Sequence, residues 1–137
     1  MATSSPEQIQ TENKKIVSTD QAPAAIGPYS QAIIHGGLVY CSGQIALDPV
    51  TMEIVGEDAE TQARQVMNNL GEVLRSAGSD FSEVIKCSIF LDSMDDFGVV
   101  NNVYGAFFTE NPPARETVAV QTLPKNVLVE ISCIASV

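Results

Sequence analysis

At 137 residues, 45% of them hydrophobic and 18% charged, the chain can build one domain with a real core and is too apolar to be disordered. A net charge of −10, with only seven lysines and arginines, leaves no basic stripe to meet nucleic-acid phosphates and works against anionic lipid. No apolar run reaches the roughly 18 residues of a membrane span. Neither nucleic acid nor membrane is therefore expected as a partner.

The first fifteen residues, MATSSPEQIQTENKK, are polar. They have neither the apolar centre of a secretory signal nor the Arg-rich pattern of a transit peptide. A flexible tail is expected over 1–15, followed by a single domain over 16–137. The expected compartment is the cytoplasm; a partial or processed precursor of a mitochondrial or plastid protein is the alternative. "AIGPYSQAIIHGGLVYCSGQIALD" then holds a turn at Gly27-Pro28 and two strand-like runs around His35-Gly36-Gly37, a β-hairpin pattern. Gly43, inside the second run, points to a bulge or to a close approach of the backbone. His35 is the one histidine, and no acid or nucleophile stands at a recognisable spacing from it. Asp48-Pro49 is a turn ahead of a short strand.

A helix follows. Ala63, Val66, Met67, Leu70, Val73, Leu74 and Ala77 recur at steps of three and four, with Asp58 placed to cap the start and Gly78 to end it. "SEVIKCSIFLD" is a strand, and Ser93 or Asp95 can cap a second helix with the stripe Phe97, Val100, Tyr104, Phe107 and Phe108. Asn111-Pro112-Pro113 stops it. Two further strands surround a turn at Pro124-Lys125. The order β-β-(β)-α-β-α-β-β predicts an α+β domain of two layers, a mixed sheet with both helices on one face.

The last two strands carry Arg115 and Glu130. Alternation places Val127, Val129, Ile131, Cys133 and Ala135 on one face and Leu128, Glu130, Ser132 and Ile134 on the other. If the two strands form a hairpin about Pro124-Lys125, Glu130 opposes Ala119, Arg115 opposes Ile134, and both charges share a half-apolar face away from the helices. Another copy of the chain is the expected cover for that face. An ion pair between subunits and a small ligand held between the two charges are both open on these residues. Cys41, Cys87 and Cys133 each lie in an apolar segment and make no C-x-x-C pattern, so three buried reduced thiols are expected. One histidine and scattered cysteines supply no metal cluster.

"AIGPYSQA", "VYCSGQIALD", "VNNVYGAFF", "PPAR" and "LPKNVLVEISCIA" together resemble the RidA/YjgF family, the reactive-intermediate deaminases, over roughly Val17 to Ala135. The resemblance implies a chorismate-mutase-like domain assembled as a homotrimer with sites between subunits. It implies hydrolysis of 2-imino or 2-amino-unsaturated acids, such as 2-aminoacrylate and 2-iminobutanoate, to 2-oxo acids and ammonia without a cofactor. By position, Arg115 would hold the substrate carboxylate and Glu130 would position or activate water. Tyr29 and Ser42 would line the cleft, and Gly43 and Thr117 would meet the ligand through backbone groups. Glu116 and Thr117 depart from the usual pattern, where the first position is small or apolar and the second is commonly cysteine. A non-catalytic binder of 2-oxo acids, a chaperone-like trimer and an RNA-cleaving activity are the competing functions.

Overall fold

The computed structural model describes residues 13–137. The expected tail over 1–15 therefore lies mostly outside the described residues, and Lys15 already belongs to a strand. Six strands form one sheet: β1 (Lys15–Val17), β2 (Ala32–His35), β3 (Leu38–Gln44), β4 (Val84–Leu91), β5 (Ala114–Ala119) and β6 (Val129–Ser136). Two helices, α1 (Ala59–Ser76) and α2 (Phe97–Gly105), complete the domain. Strand order is β1-β2-β3-β6-β4-β5, with β4 and β5 parallel and every other pair antiparallel.

The expectations from turn and cap chemistry are met at the β2–β3 turn and at both ends of α1. Gly36 and Gly37, at φ 60° and 80°, make the two-residue turn between β2 and β3, a conformation that glycine adopts without steric cost. The Asp58 carboxylate accepts from the Thr61 N–H at 2.7 Å and starts α1. At its end the Gly78 N–H donates to the Arg75 carbonyl and the Ser79 N–H to the Leu74 carbonyl, a Schellman motif with Gly78 at φ 85°. The strand expected after Asp48-Pro49 shrinks to a single bridge, Leu47 to Ile54. Helix α2 stops at Gly105, short of Phe107 and Phe108, and the single-turn helix Met94–Asp96, capped by the Ser93 hydroxyl, leads into it.

The core lies between the helices and one face of the sheet. Val66, Met67, Leu70, Val73 and Leu74 of α1 are fully buried against β3 and β6. Each such side chain contributes about 1.5–3 kcal/mol by leaving water. Strand β6 alternates buried and half-buried along its whole length. The three thiols are free and buried as expected, and the strand registers bring them together: Cys41 opposes Cys133, which opposes Cys87.

The expected β5–β6 hairpin does not form. Strand β4 lies between the two, paired in parallel with β5 and antiparallel with β6. The apolar β6 takes a central place with neighbours on both sides, while β5, exposed at alternate positions, takes the edge. Residues 120–128 bridge over the end of β4, tied down where the Val120 N–H donates to the Leu91 carbonyl at 2.9 Å and the Asp92 N–H to the Leu128 carbonyl at 3.1 Å. This moves Arg115. It opposes Cys87 and so shares the helix-covered face, whereas Glu130 opposes Phe90 on the open face. The open face is half apolar, as expected: Ile33, Tyr40 and Ile134 form one row and Val118, Phe90 and Glu130 another, with Tyr40 42% and Val118 44% exposed. No helix among the described residues is long and apolar enough to cross a membrane.

Candidate active site

On the open face, strand β3 gains one residue relative to β6. Cys41 opposes Cys133 and Gln44 opposes Ile131, which leaves Ser42 and Gly43 in a β-bulge. The bulge brings the Gly43 backbone under Glu130. A Cβ at Gly43 would run into Glu130 Oε2 and would lie 2.8 Å from Cδ and 2.9 Å from Cγ, so the carboxylate rests on a surface that only glycine leaves open. Half-buried there, Glu130 has its carboxyl pushed above the ordinary carboxylate range by loss of hydration.

A cleft of about 490 Å³ opens over this carboxylate. Its walls include Tyr29, Ser42, Gly43 and Glu130, together with Ile26, Ile45 and Lys125. Two polar side chains hold the wall. The Ser42 hydroxyl donates to the Ser30 carbonyl at 2.6 Å, fixing the segment that carries Tyr29. The buried Gln31 amide donates to the Pro23 carbonyl at 2.7 Å and accepts from the Thr19 N–H at 2.7 Å. Ser42 thus lines the cleft with its hydroxyl proton already committed. Lys125 and Asn126 both adopt left-handed backbone, at φ 56° each, between the buried Leu123 and Val127.

Arg115 and Thr117 do not line this cleft. Two strand spacings and three residues separate Arg115 from Glu130, roughly 10 Å across and roughly 10 Å along, on opposite faces. The expectation that one face of one chain carries both is therefore corrected. Arg115 is held in a second constellation at the sheet edge. Its Nη1 donates to Asn101 Oδ1, and its guanidinium carbon lies 5.1 Å from the Tyr104 ring centre and 5.7 Å from that of Phe97. Phe97, Asn101 and Tyr104 stand at steps of four and three along α2, one helical face. The apolar stripe of the sequence includes Phe97 and Tyr104 but not the polar Asn101. The same periodicity, extended to polar residues, would have found it. Glu116 points to the open face, where it pairs with Lys86 at 3.0 Å and accepts from the Ser88 hydroxyl. Those bonds hold its carboxyl below the usual range.

His35 is at the exposed end of β2. Among the described residues no group of histidine, cysteine and carboxylate side chains could hold a metal ion. The thiols of Cys87 and Cys133 are pushed up, Cys87 chiefly by burial and Cys133 chiefly by its bond to Cys41, with burial adding to it.

A family model described as Endoribonuclease L-PSP matches residues 19–137. The chain belongs to the RidA/YjgF family. A RutC family protein of Synechocystis is 54% identical over 88% of this chain and 95% of its own length. A protein of Rattus norvegicus named 2-iminobutanoate/2-iminopropanoate deaminase is 44% identical, covering 89% of each chain. The crystal structure of the YjgF gene product of E. coli superposes with a TM-score of 0.85 at 41% identity, over 89% of this chain and 98% of that one. The mixed six-stranded sheet with two helices on one face is thus the RidA/YjgF fold, as expected.

Proposed function

We propose that this RidA/YjgF chain hydrolyses reactive 2-imino and 2-enamino acids, such as 2-iminobutanoate and 2-aminoacrylate, to 2-oxo acids and ammonia. The observation that carries the reading is the half-buried Glu130 carboxyl, raised in pKa and seated on the Gly43 bulge at the floor of a small cleft. The name of the rat relative supports the same substrate class.

The chemistry asks little of the protein. An imine carbon is electrophilic once its nitrogen is protonated. Glu130 takes a proton from water as the oxygen bonds to C2, giving a carbinolamine. It returns that proton to nitrogen; the C–N bond then breaks as the hydroxyl oxygen becomes the C=O of the 2-oxo acid, and the hydroxyl proton passes through the Glu130 carboxylate to the departing ammonia, which leaves as ammonium. A carboxyl whose pKa lies above the usual range is suited to these transfers. Neither metal nor cofactor enters these steps. Arg115, a planar fork already oriented by Asn101 and two aromatic rings, receives the substrate carboxylate. Tyr29 shapes the cleft edge, and the Gly43 and Thr117 backbone contacts the ligand.

Arg115 and Glu130 of one chain lie too far apart, on opposite faces, to hold one small acid. The reading therefore includes a closed homotrimer in which Arg115 of one subunit meets the Glu130 cleft of the next, with the half-apolar sheet face covered by the assembly. The family model's description raises RNA cleavage, which the charge of −10 disfavours.

The test is release of 2-oxobutanoate and pyruvate from freshly generated dehydratase intermediates, with semicarbazide trapping the imines. Faster oxo-acid release and less semicarbazone on adding the protein are expected. Unchanged partition would contradict deamination and leave a binder of oxo acids.

A further inference from the structure

Helix α1 buries two amide side chains, Gln62 and Asn69, on the face that meets the sheet. A buried amide loses its hydration and costs stability unless both of its ends are bonded. Here both ends are, and the bonds run to the two sides of the Glu130 cleft. Asn69 Nδ2 donates to the Leu47 carbonyl at 2.9 Å and to the Ile45 carbonyl at 3.2 Å, and its Oδ1 accepts from Gln65 at 2.9 Å. Ile45 and Leu47 belong to the cleft wall. Gln62 Oε1 accepts from the Leu128 N–H at 2.8 Å, and its Nε2 donates to the Gly56 carbonyl at 3.1 Å. Leu128 is the residue before β6 begins and stands two before Glu130. Its carbonyl is already taken by the Asp92 N–H, so the bond from Gln62 leaves neither polar group of that backbone free.

Glu130 needs such an anchor because its strand is supported unevenly. The register between β3 and β6 breaks at the Ser42-Gly43 bulge, between the pairs Cys41–Cys133 and Gln44–Ile131. Resting on the reading of Glu130 as the group that handles the water proton, we propose that Gln62 is a positioning residue: its amide oxygen, through the Leu128 N–H, holds the start of β6 so that the Glu130 carboxylate stays seated on the Gly43 bulge. Gln62 touches no substrate. It acts from the opposite face of the sheet, through one backbone bond.

Gln62→Met keeps the length of the side chain and loses both bonds. Gln62→Glu keeps an oxygen for the Leu128 N–H. Ser79→Ala is the control: Ser79 is also buried, and its hydroxyl donates at 2.7 Å to the carbonyl of Ser136, at the far end of the same strand. Each variant is read by melting temperature, by kcat and KM on dehydratase-derived imines, and by 13C NMR titration of the Glu130 carboxyl. Tyr29 and Lys125, the other ionisable side chains of the cleft wall, and the Lys86–Glu116 pair on the same sheet face stay in place in all three. All three should melt below the parent, each having lost a buried hydrogen bond. In Gln62→Met kcat should fall about tenfold or more at near-parental KM, since the carboxylate that acts on water is misplaced. Its Glu130 carboxyl should titrate nearer the reference value of 4.5, having regained water. Gln62→Glu and Ser79→Ala should keep the parental kcat and the parental titration. Parental values in Gln62→Met overturn the proposal. So does an equal loss in Gln62→Glu or in Ser79→Ala, which would reduce Gln62 to general support of the fold. If Gln62→Met does not fold, Gln62→Asn, one methylene too short to reach Leu128, is judged by the same criteria. Glu130→Gln, assayed alongside, separates the layers: normal turnover there removes the reading of Glu130 and this proposal with it, whereas parental behaviour in Gln62→Met alone removes only this proposal.

Discussion

Glu130 is a carboxylate placed where a carboxylate is least comfortable. Burial raises its pKa from the reference value of 4.5, and its direction sets two expectations. As the proposed base that takes a proton from water it must be ionised, so the acid limb of the turnover–pH profile should lie above the ordinary carboxylate range. Glu130→Gln keeps size and polarity but cannot shuttle a proton; turnover should fall roughly 10²-fold or more while 2-oxobutanoate still binds. The stability sign is opposite to that of a salt-bridged acid. The folded state holds the Glu130 proton more tightly than the unfolded chain does. This contribution is therefore complete below pH about 4.5 and is lost as pH rises through the raised pKa. Urea titrations at several pH values should show the variant gaining stability relative to the parent on going from acid to neutral pH. A constant difference across that window would mean that Glu130 titrates as an ordinary exposed acid.

At the scale of elements, β3 carries the candidate site because its bulge at Ser42-Gly43 lets one backbone pass beneath one carboxylate. Gly43→Ala should displace Glu130 and lower turnover at least as far as Glu130→Gln does. Stability should change little, because what the new methyl displaces is the flexible end of the Glu130 side chain rather than backbone. Initial rates and thermal melts check both, and parental activity in the Gly43→Ala variant would remove the bulge from the account. The bulge was legible in the sequence, since a glycine inside an apolar strand has few other uses. Helix α1 was legible for a similar reason: seven apolar residues at one period admit one reading. Strands β5 and β6 were not. Alternation says which residues of one strand share a face, and it placed Glu130 and Ser132 opposite Ile131 and Cys133 correctly. It does not say which strands are neighbours. The turn residues Pro124-Lys125 invited a hairpin, but the parallel β4–β5 pairing puts a third strand between its arms. With that pairing changed, Arg115 moved to the other face, because the face a residue takes depends on register. Asn101 is not legible from an apolar stripe, because it is a polar residue on the same helical face as Phe97 and Tyr104.

At the scale of the molecule the two halves of the candidate site belong to opposite faces of one sheet. The Glu130 cleft opens on the side that no helix covers among the described residues, and Arg115 stands at the β5 edge over Phe97 and Tyr104. A chain of 14.6 kDa that exposes Tyr40, Val118 and Ile16 on its open face has a reason to associate. Sedimentation equilibrium at micromolar concentration should return three times that mass, and a clean monomer would leave the site in two pieces. The central claim, one active site made from two subunits, is tested most directly by complementation. Arg115→Ala and Glu130→Gln should each abolish or cripple turnover alone. Unfolding the two together in equal amounts and refolding them yields mixed trimers in which about a quarter of the interfaces pair an intact Arg115 with an intact Glu130. Recovery of about a quarter of parental activity is the predicted result. Activity no higher than that of the two variants refolded separately would show that each chain works alone, and would contradict the shared site.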